Sequence, residues 1–161
     1  MAQSAAPEPP SDPLLRVADM PDAERAALRE MFQGSPLNAM LALEIVELGP
    51  AHALVSMPVA ADALNHAGTL HGGAIATLID QTCGTIAARA GGLDYTTHTL
   101  VTADLHVRYL ARTRGAAVHA RAEVVRAGRQ LIIVDCAVTD DTGTLVATAD
   151  FSSMIVPKRA R

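Results

Sequence analysis

The chain has 161 residues, 50% of them hydrophobic, and a formal net charge of −4. That length suits one domain with its own core, the negative balance argues against general nucleic-acid affinity, and no apolar run reaches the roughly 18 residues of a membrane-spanning helix. Aromatic residues make up only 2%, so the core must be built from Ala, Val, Leu and Ile, and contacts between copies are expected to supplement it.

Residues 1–20 open with MAQSAAPEPPSDP, rich in Pro, Ala and Ser, and are expected to form a disordered tail. This polar start lacks a basic segment followed by an apolar one, the pattern of a secretory signal. A single domain is expected over 21–157, with 158–161 as a short C-terminal tail. Asp22-Ala23-Glu24-Arg25 predicts a short helix to about Phe32, with acids in the first turn where the helix dipole favours them. Gly34-Ser35-Pro36 ends it. Leu41 to Leu48 and Ala53 to Pro58 read as a strand pair broken at Gly49-Pro50, and Ala60 to Leu70 as mostly loop.

A long helix is predicted from Gly72-Gly73 to about Ala90, closed by Gly91-Gly92. At about 100° per residue, Ile75, Leu78, Ile79, Thr82 and Ile86 share one side, which should pack on a sheet. Gly73, Ala76, Thr77, Asp80 and Gly84 share the other. From Gly72 to Ala88 the only charged side chain is Asp80. An ordinary surface helix would carry Lys and Glu on that side. The helix should therefore be covered on both sides, with Asp80 facing an interface or a pocket.

The remainder is β-rich. Val101, Ala103, Leu105, Val107 and Tyr109 alternate with Thr102, Asp104, His106 and Arg108, the period of a half-buried strand. Ala116 to Arg126, Leu131 to Thr139 and Leu145 to Val156 read as three more strands, separated by turns. Two strands, a long helix and four strands predict an α+β domain, an antiparallel β-sheet wrapped around one long central α-helix.

Chemistry concentrates between Asn65 and Asp80. The first N–H groups of a helix lack intrahelical partners and favour an oxygen carrying negative charge. Gly72 and Gly73 leave those amides unshielded; His71 precedes them, and Asn65 lies six residues further back. An acid or base, an oxyanion site and two polar orienting groups suit attack of water on a carbonyl. Taken singly, each residue also has a plain structural use: Asn65 in a turn, His71 bonding backbone at the helix start, the glycines in packing.

Asn65, His71, Gly72, Gly73 and Asp80, at this spacing, resemble the core motif of hotdog-fold acyl-CoA thioesterases of the phenylacetate-pathway (PaaI-like) type, which include the mammalian thioesterase superfamily member 2 group. The likeness runs from about Ser35 to Pro157. It implies a hotdog fold, with Asp80 as general base or nucleophile and the Gly72 amide polarising the thioester carbonyl. Asn65 would position the carbonyl or the water, His71 would orient or bind, and Thr102 would help hold the water. The resemblance also implies a dimer, commonly paired into a tetramer, with sites built across the interface; separately, Cys83 and Cys136 read as free thiols, as expected of a reducing cytoplasm.

Arg108, Arg112, Arg114, Arg121, Arg126 and Arg129 crowd a segment whose one acid is Glu123. Arg forks suit phosphate oxygens, and coenzyme A carries a pyrophosphate and a 3′-phosphate. In the family the turn holding Arg126, Gly128 and Arg129 lies near the coenzyme A nucleotide, so these residues and Gly73 are expected to bind substrate. The plain alternative is that the arginines are solvated edge residues that discourage strand pairing. No cofactor is expected, coenzyme A being part of the substrate, and neither nucleic acid nor membrane is an expected partner. His66, His98, His106 and His119 form no metal pattern. Cys83 and Cys136 lack ligand spacing, and Cys83 has no base beside it. Two rival readings stay open: a hydratase or dehydratase of the same fold, and a module that binds acyl-CoA without turning it over. Phenylacetyl, hydroxylated aryl and medium-chain acyl groups all fit, on coenzyme A or on a carrier protein.

Overall fold

The computed structural model describes residues 16–158. The expected tails, 1–20 and 158–161, lie for the most part outside the described residues. Three helices, α1 (Asp22–Gln33), α2 (Pro36–Met40) and α3 (Gly72–Ala90), join six strands: β1 (Glu44–Leu48), β2 (His52–Pro58), β3 (His98–Tyr109), β4 (Ala117–Ala127), β5 (Leu131–Asp140) and β6 (Leu145–Pro157). The strands form one antiparallel sheet in the order β1-β2-β4-β5-β6-β3, so β1 and β3 are its edges. The sheet wraps around α3, the hotdog arrangement.

Packing of α3 on the sheet creates the core. Leu78, Ile79, Cys83 and Ile86 are fully buried, and Ile75 nearly so. Facing them are Val55, Met57, Val118, Val134 and Phe151. Each such side chain contributes about 1.5–3 kcal/mol on burial. The inner positions of β4 include Ala120 and Ala122, whose small side chains let the helix lie close over the middle of the sheet. Thr82 is buried on the same face, and its hydroxyl donates to the Leu78 carbonyl at 2.6 Å, so no polar atom is stranded there. Two bonds close the helix: Gly92 N–H to the Arg89 carbonyl and Leu93 N–H to the Ala88 carbonyl. Gly92 supplies the left-handed residue such a closure needs, with φ of 60°. Cys83 meets Cys136 in the core; that thiol–thiol hydrogen bond and burial push the Cys83 thiol far up, so it is an apolar filler rather than a nucleophile.

The structure differs from the sequence expectation in two places. The first strand is shorter than Leu41 to Leu48, because Pro36 starts a one-turn helix and Ala42, at φ 49°, turns the chain before Glu44. The second difference affects chemistry. Simple alternation along β3 would put Thr102 on the outer face with Asp104, His106 and Arg108. Instead the register against β6 slips between Thr102 and Asp104, which oppose Ser153 and Ser152. Ala103 is thus an extra residue, a bulge. Leu100 and Thr102 before it, and Leu105 and Val107 after it, all face the helix. Outside, Arg108 pairs with Asp150 at 2.8 Å and Arg121 with Glu47 at 3.0 Å.

The β5–β6 turn is organised by Asp140, 3% exposed. Its carboxylate accepts from the backbone N–H groups of Arg114, Thr142 and Thr144 and from the Thr142 hydroxyl. These donors, the Arg114 amide first, hold the Asp140 carboxyl far below the usual carboxylate range. A depressed folded pKa gives stability that is complete above the ordinary Asp value of about 4 and lost as pH falls toward the folded value. Asp140→Asn should therefore melt below wild type at neutral pH, with the gap closing as the buffer is taken below about pH 4. Thermal melts of both proteins across pH check this; a gap that stays constant with pH would refute it.

Candidate active site

The N-terminus of α3 is built by the loop before it. Asn65 Oδ1 accepts from the N–H groups of Ala67 and Thr69, and its Nδ2 donates to the Thr69 hydroxyl at 2.9 Å. The side chain thus holds its own turn and keeps one amide proton uncommitted. His71 caps the helix: its Nδ1 accepts from the Gly73 N–H at 2.8 Å. Gly73 is thereby spent on the cap. The Gly72 N–H has no partner among the described residues, and points out of the helix start as an oxyanion donor would. Tyr109 covers this end, its hydroxyl donating to the Gly72 carbonyl at 2.9 Å. A Cβ on Gly72 would meet the Tyr109 ring at 3.4 Å.

Asp80 sits on the half-buried face of α3, two turns further on. Thr102 Oγ1 donates to its Oδ1 at 2.8 Å, and Gln81 Nε2 to its Oδ2 at 3.2 Å. The bulge at Ala103 is what turns Thr102 toward it. Asp80 and Thr102 stand in an open cleft of about 840 Å³, a volume typical of small-molecule sites. The cleft runs along α3 past Gly84, Thr85 and Ala88, under Leu100, to Leu28, Met31 and Phe32 of α1. Apart from Asp80, its inner walls are apolar or uncharged; Arg89 and Tyr95 lie at the exposed rim.

The expected residues thus fall into three groups. Asp80 and Thr102 are together. Asn65, His71, Gly72 and Gly73 are together at the helix start. Eight residues of helix separate Gly72 from Asp80, about 12 Å along the axis. A carbonyl touching the Gly72 amide cannot also be within reach of Asp80 of the same chain. Arg126, Gly128 and Arg129 form the third group, at the β4–β5 turn. Among the described residues neither arginine is in an ion pair. The turn adjoins the cleft through the sheet: the Gln130 carbonyl accepts from Ile155 N–H, and Ile155 opposes Leu100. That is two strand spacings, about 10 Å. A Cβ on Gly128 would come within 2.9 Å of the Leu131 carbonyl, so the tight turn requires glycine.

Gln81 and Tyr109 touch the site without having been singled out in the sequence. Gln81 is marked only by following Asp80, and Tyr109 only by being one of two tyrosines.

A sequence model of the thioesterase superfamily matches residues 67–147, the span holding Gly72, Asp80, Thr102 and the β4–β5 turn. The chain belongs to that superfamily. A Caenorhabditis elegans protein named as an esterase is 32% identical over 132 residues, 80% of this chain and 72% of its own. A thioesterase family protein from Silicibacter pomeroyi shares the fold at a TM-score of 0.72 and 27% identity, over 81% of this chain and 96% of that one. Escherichia coli PaaI, from the phenylacetic acid degradation operon, does so at 0.70 and 20%, over 80% and 90%. As a thioesterase-superfamily member the chain is a thioester hydrolase with the hotdog fold. No helix of the described residues is long and apolar enough to cross a membrane.

In this thioesterase the His71 cap has a measurable share in stability. Removing a side-chain cap costs about 1 kcal/mol, so His71→Ala should lower Tm by roughly 2–4 °C. Scanning calorimetry reads the shift, and an unchanged Tm would deny the capping role.

Proposed function

We propose that the protein hydrolyses an acyl-CoA thioester to the free acid and coenzyme A. The observation that carries this reading is the Asp80–Thr102 pair, 2.8 Å apart, at one end of an apolar cleft in a thioesterase-superfamily chain. Asp80 takes a proton from water as the water attacks the carbonyl carbon, or attacks that carbon itself to give, once the thiolate has left, a mixed anhydride that water then hydrolyses to the free acid. Thr102 donates to Asp80 and keeps its own oxygen lone pairs to accept from that water. Negative charge develops on the carbonyl oxygen, where a backbone N–H stabilises it. Collapse of the tetrahedral intermediate expels the thiolate, a good leaving group. The acyl group lies along α3 toward Phe32, and walls of Leu, Met and Phe favour an aryl or medium-chain acyl group. Arg126 and Arg129, free of ion pairs among the described residues, take the coenzyme A phosphates.

The distance between Gly72 and Asp80 supports a site made by two copies. Two α3 helices running antiparallel bring the start of one beside the middle of the other. The β3 edge supports the same pairing. It offers twelve residues of strand and an outward Val101, 41% exposed, and a long bare edge invites a second strand. A homodimer, itself able to pair into a tetramer, is the assembly proposed, and the cytoplasm its place.

Asp80→Asn should cut thiol release from a panel of aryl and aliphatic acyl-CoAs by about 10²- to 10⁴-fold while leaving the fold intact. Wild-type turnover in that variant would remove Asp80 from the chemistry. Acyl-CoA binding without thiol release in wild type would mark a binding module instead. For the composite site, Gly72→Pro deletes the amide at a helix position that tolerates proline, and should cost about 10²- to 10³-fold. Gly72→Pro and Asp80→Asn chains produced together should regain activity that neither has alone. Mixed chains as inactive as their parents, or a monomer by light scattering, would overturn the two-copy site.

A further inference from the structure

Behind Asp80 runs a chain of side-chain amides. Asn38, on α2, is 2% exposed. Its Nδ2 donates to the Phe32 carbonyl at 2.9 Å and to Gln81 Oε1 at 3.1 Å. Gln81 Nε2 in turn donates to Asp80 Oδ2 at 3.2 Å. The direction of these bonds is forced from the buried end. The Phe32 carbonyl can only accept, so Asn38 must present its NH2 group. The second proton on that nitrogen meets Gln81, which must answer with its oxygen. That leaves the Gln81 NH2 for the carboxylate. Turning either amide over would set oxygen against oxygen. The orientation leaves Asn38 Oδ1 buried with no partner among the described residues, an unfavourable state that native proteins seldom keep.

We propose that Asn38 and Gln81 are positioning residues for Asp80. They tether Oδ2, while Thr102 bonds Oδ1, so the carboxylate is held by both oxygens in one rotamer. Without the tether it would swing about its side-chain torsions. Anchoring at the Phe32 carbonyl ties the base to the α1–α2 corner, which also lines the far end of the cleft through Leu28, Met31 and Phe32. Placement of the base is thereby coupled to the elements that would receive the acyl end. This inference rests on the hydrolytic reading of Asp80, but its geometry can be tested apart from activity.

Gln81→Met keeps the length of the side chain and removes both its hydrogen bonds. In acyl-CoA hydrolysis it should lower kcat by about 10-fold or more, up to about 10²-fold, with KM little changed. In an Asp80→Asn background the same substitution should have no further effect. A kcat within about twofold of wild type, or an equal loss in the Asp80→Asn background, would overturn the positioning role. Side-chain amide signals in a 1H–15N spectrum give the second readout. The Gln81 NH2 protons should be protected from exchange in wild type and should lose that protection in Asp80→Ala and in Asn38→Ala. If wild type releases no thiol from any acyl thioester, the hydrolytic reading fails and the amide signals decide the tether alone. Protection that responds to both substitutions supports it; signals of a solvated glutamine overturn it.

Discussion

Burial of Ile75, Leu78, Ile79, Cys83 and Ile86 against the sheet fixes the rotation of α3 about its own axis. Once that face is committed, the positions of Asp80 and Gly84 on the cylinder are no longer free. Asp80 must emerge on the side away from β4, between the sheet edge at β3 and the α1–α2 corner. The small side chains of Ala120 and Ala122 seat the helix deep enough for Thr102 of β3 to reach it. Core packing and site geometry are therefore one constraint: a helix rotated by a single residue would strand both Leu78 and Asp80.

Charge is distributed in keeping with this. The outer face of the sheet pairs its ions, Arg108 with Asp150 and Arg121 with Glu47, at the surface where such pairs add little stability. The Arg108 guanidinium holds Asp150 below the usual carboxylate range. The face toward the cleft carries Asp80 with neutral donors, Thr102 and Gln81. Neutral donors fix a carboxylate without placing a full positive charge beside the base.

Much of the architecture was legible in the sequence because it rests on periodicity. The 3.6-residue pattern from Ile75 to Ile86 and the alternation in the last three strands both follow directly from burying one face. So did the closure at Gly91-Gly92. Other features leave no periodic trace. The short helix from Pro36 to Met40 is one turn, too brief for a repeat. The bulge at Ala103 is an extra residue with ordinary chemistry, and only pairing with β6 exposes it. Asn38 and Gln81 lie 43 residues apart, a contact that no local pattern encodes. At the motif itself, the sequence located the residues but not their partners. Asn65 spends most of its bonds on its own turn, and His71 caps the helix.

The bulge in β3 divides that strand by parity. Before it, even-numbered residues, Leu100 and Thr102, look inward; after it, odd-numbered ones, Leu105, Val107 and Tyr109, do. One half of the strand serves chemistry and the other half serves the core and the helix cover. Because they are out of phase, neither half dictates the other's sequence. Deleting Ala103 would make Thr102 and Asp104 direct neighbours opposite Ser153 and Ser152, and plain alternation would then keep Leu100, Thr102, Leu105 and Val107 on the face they already share. What the alanine adds is a bend and extra twist in the strand next to Thr102, so its contribution to the site is one of angle, not of which side chains face in.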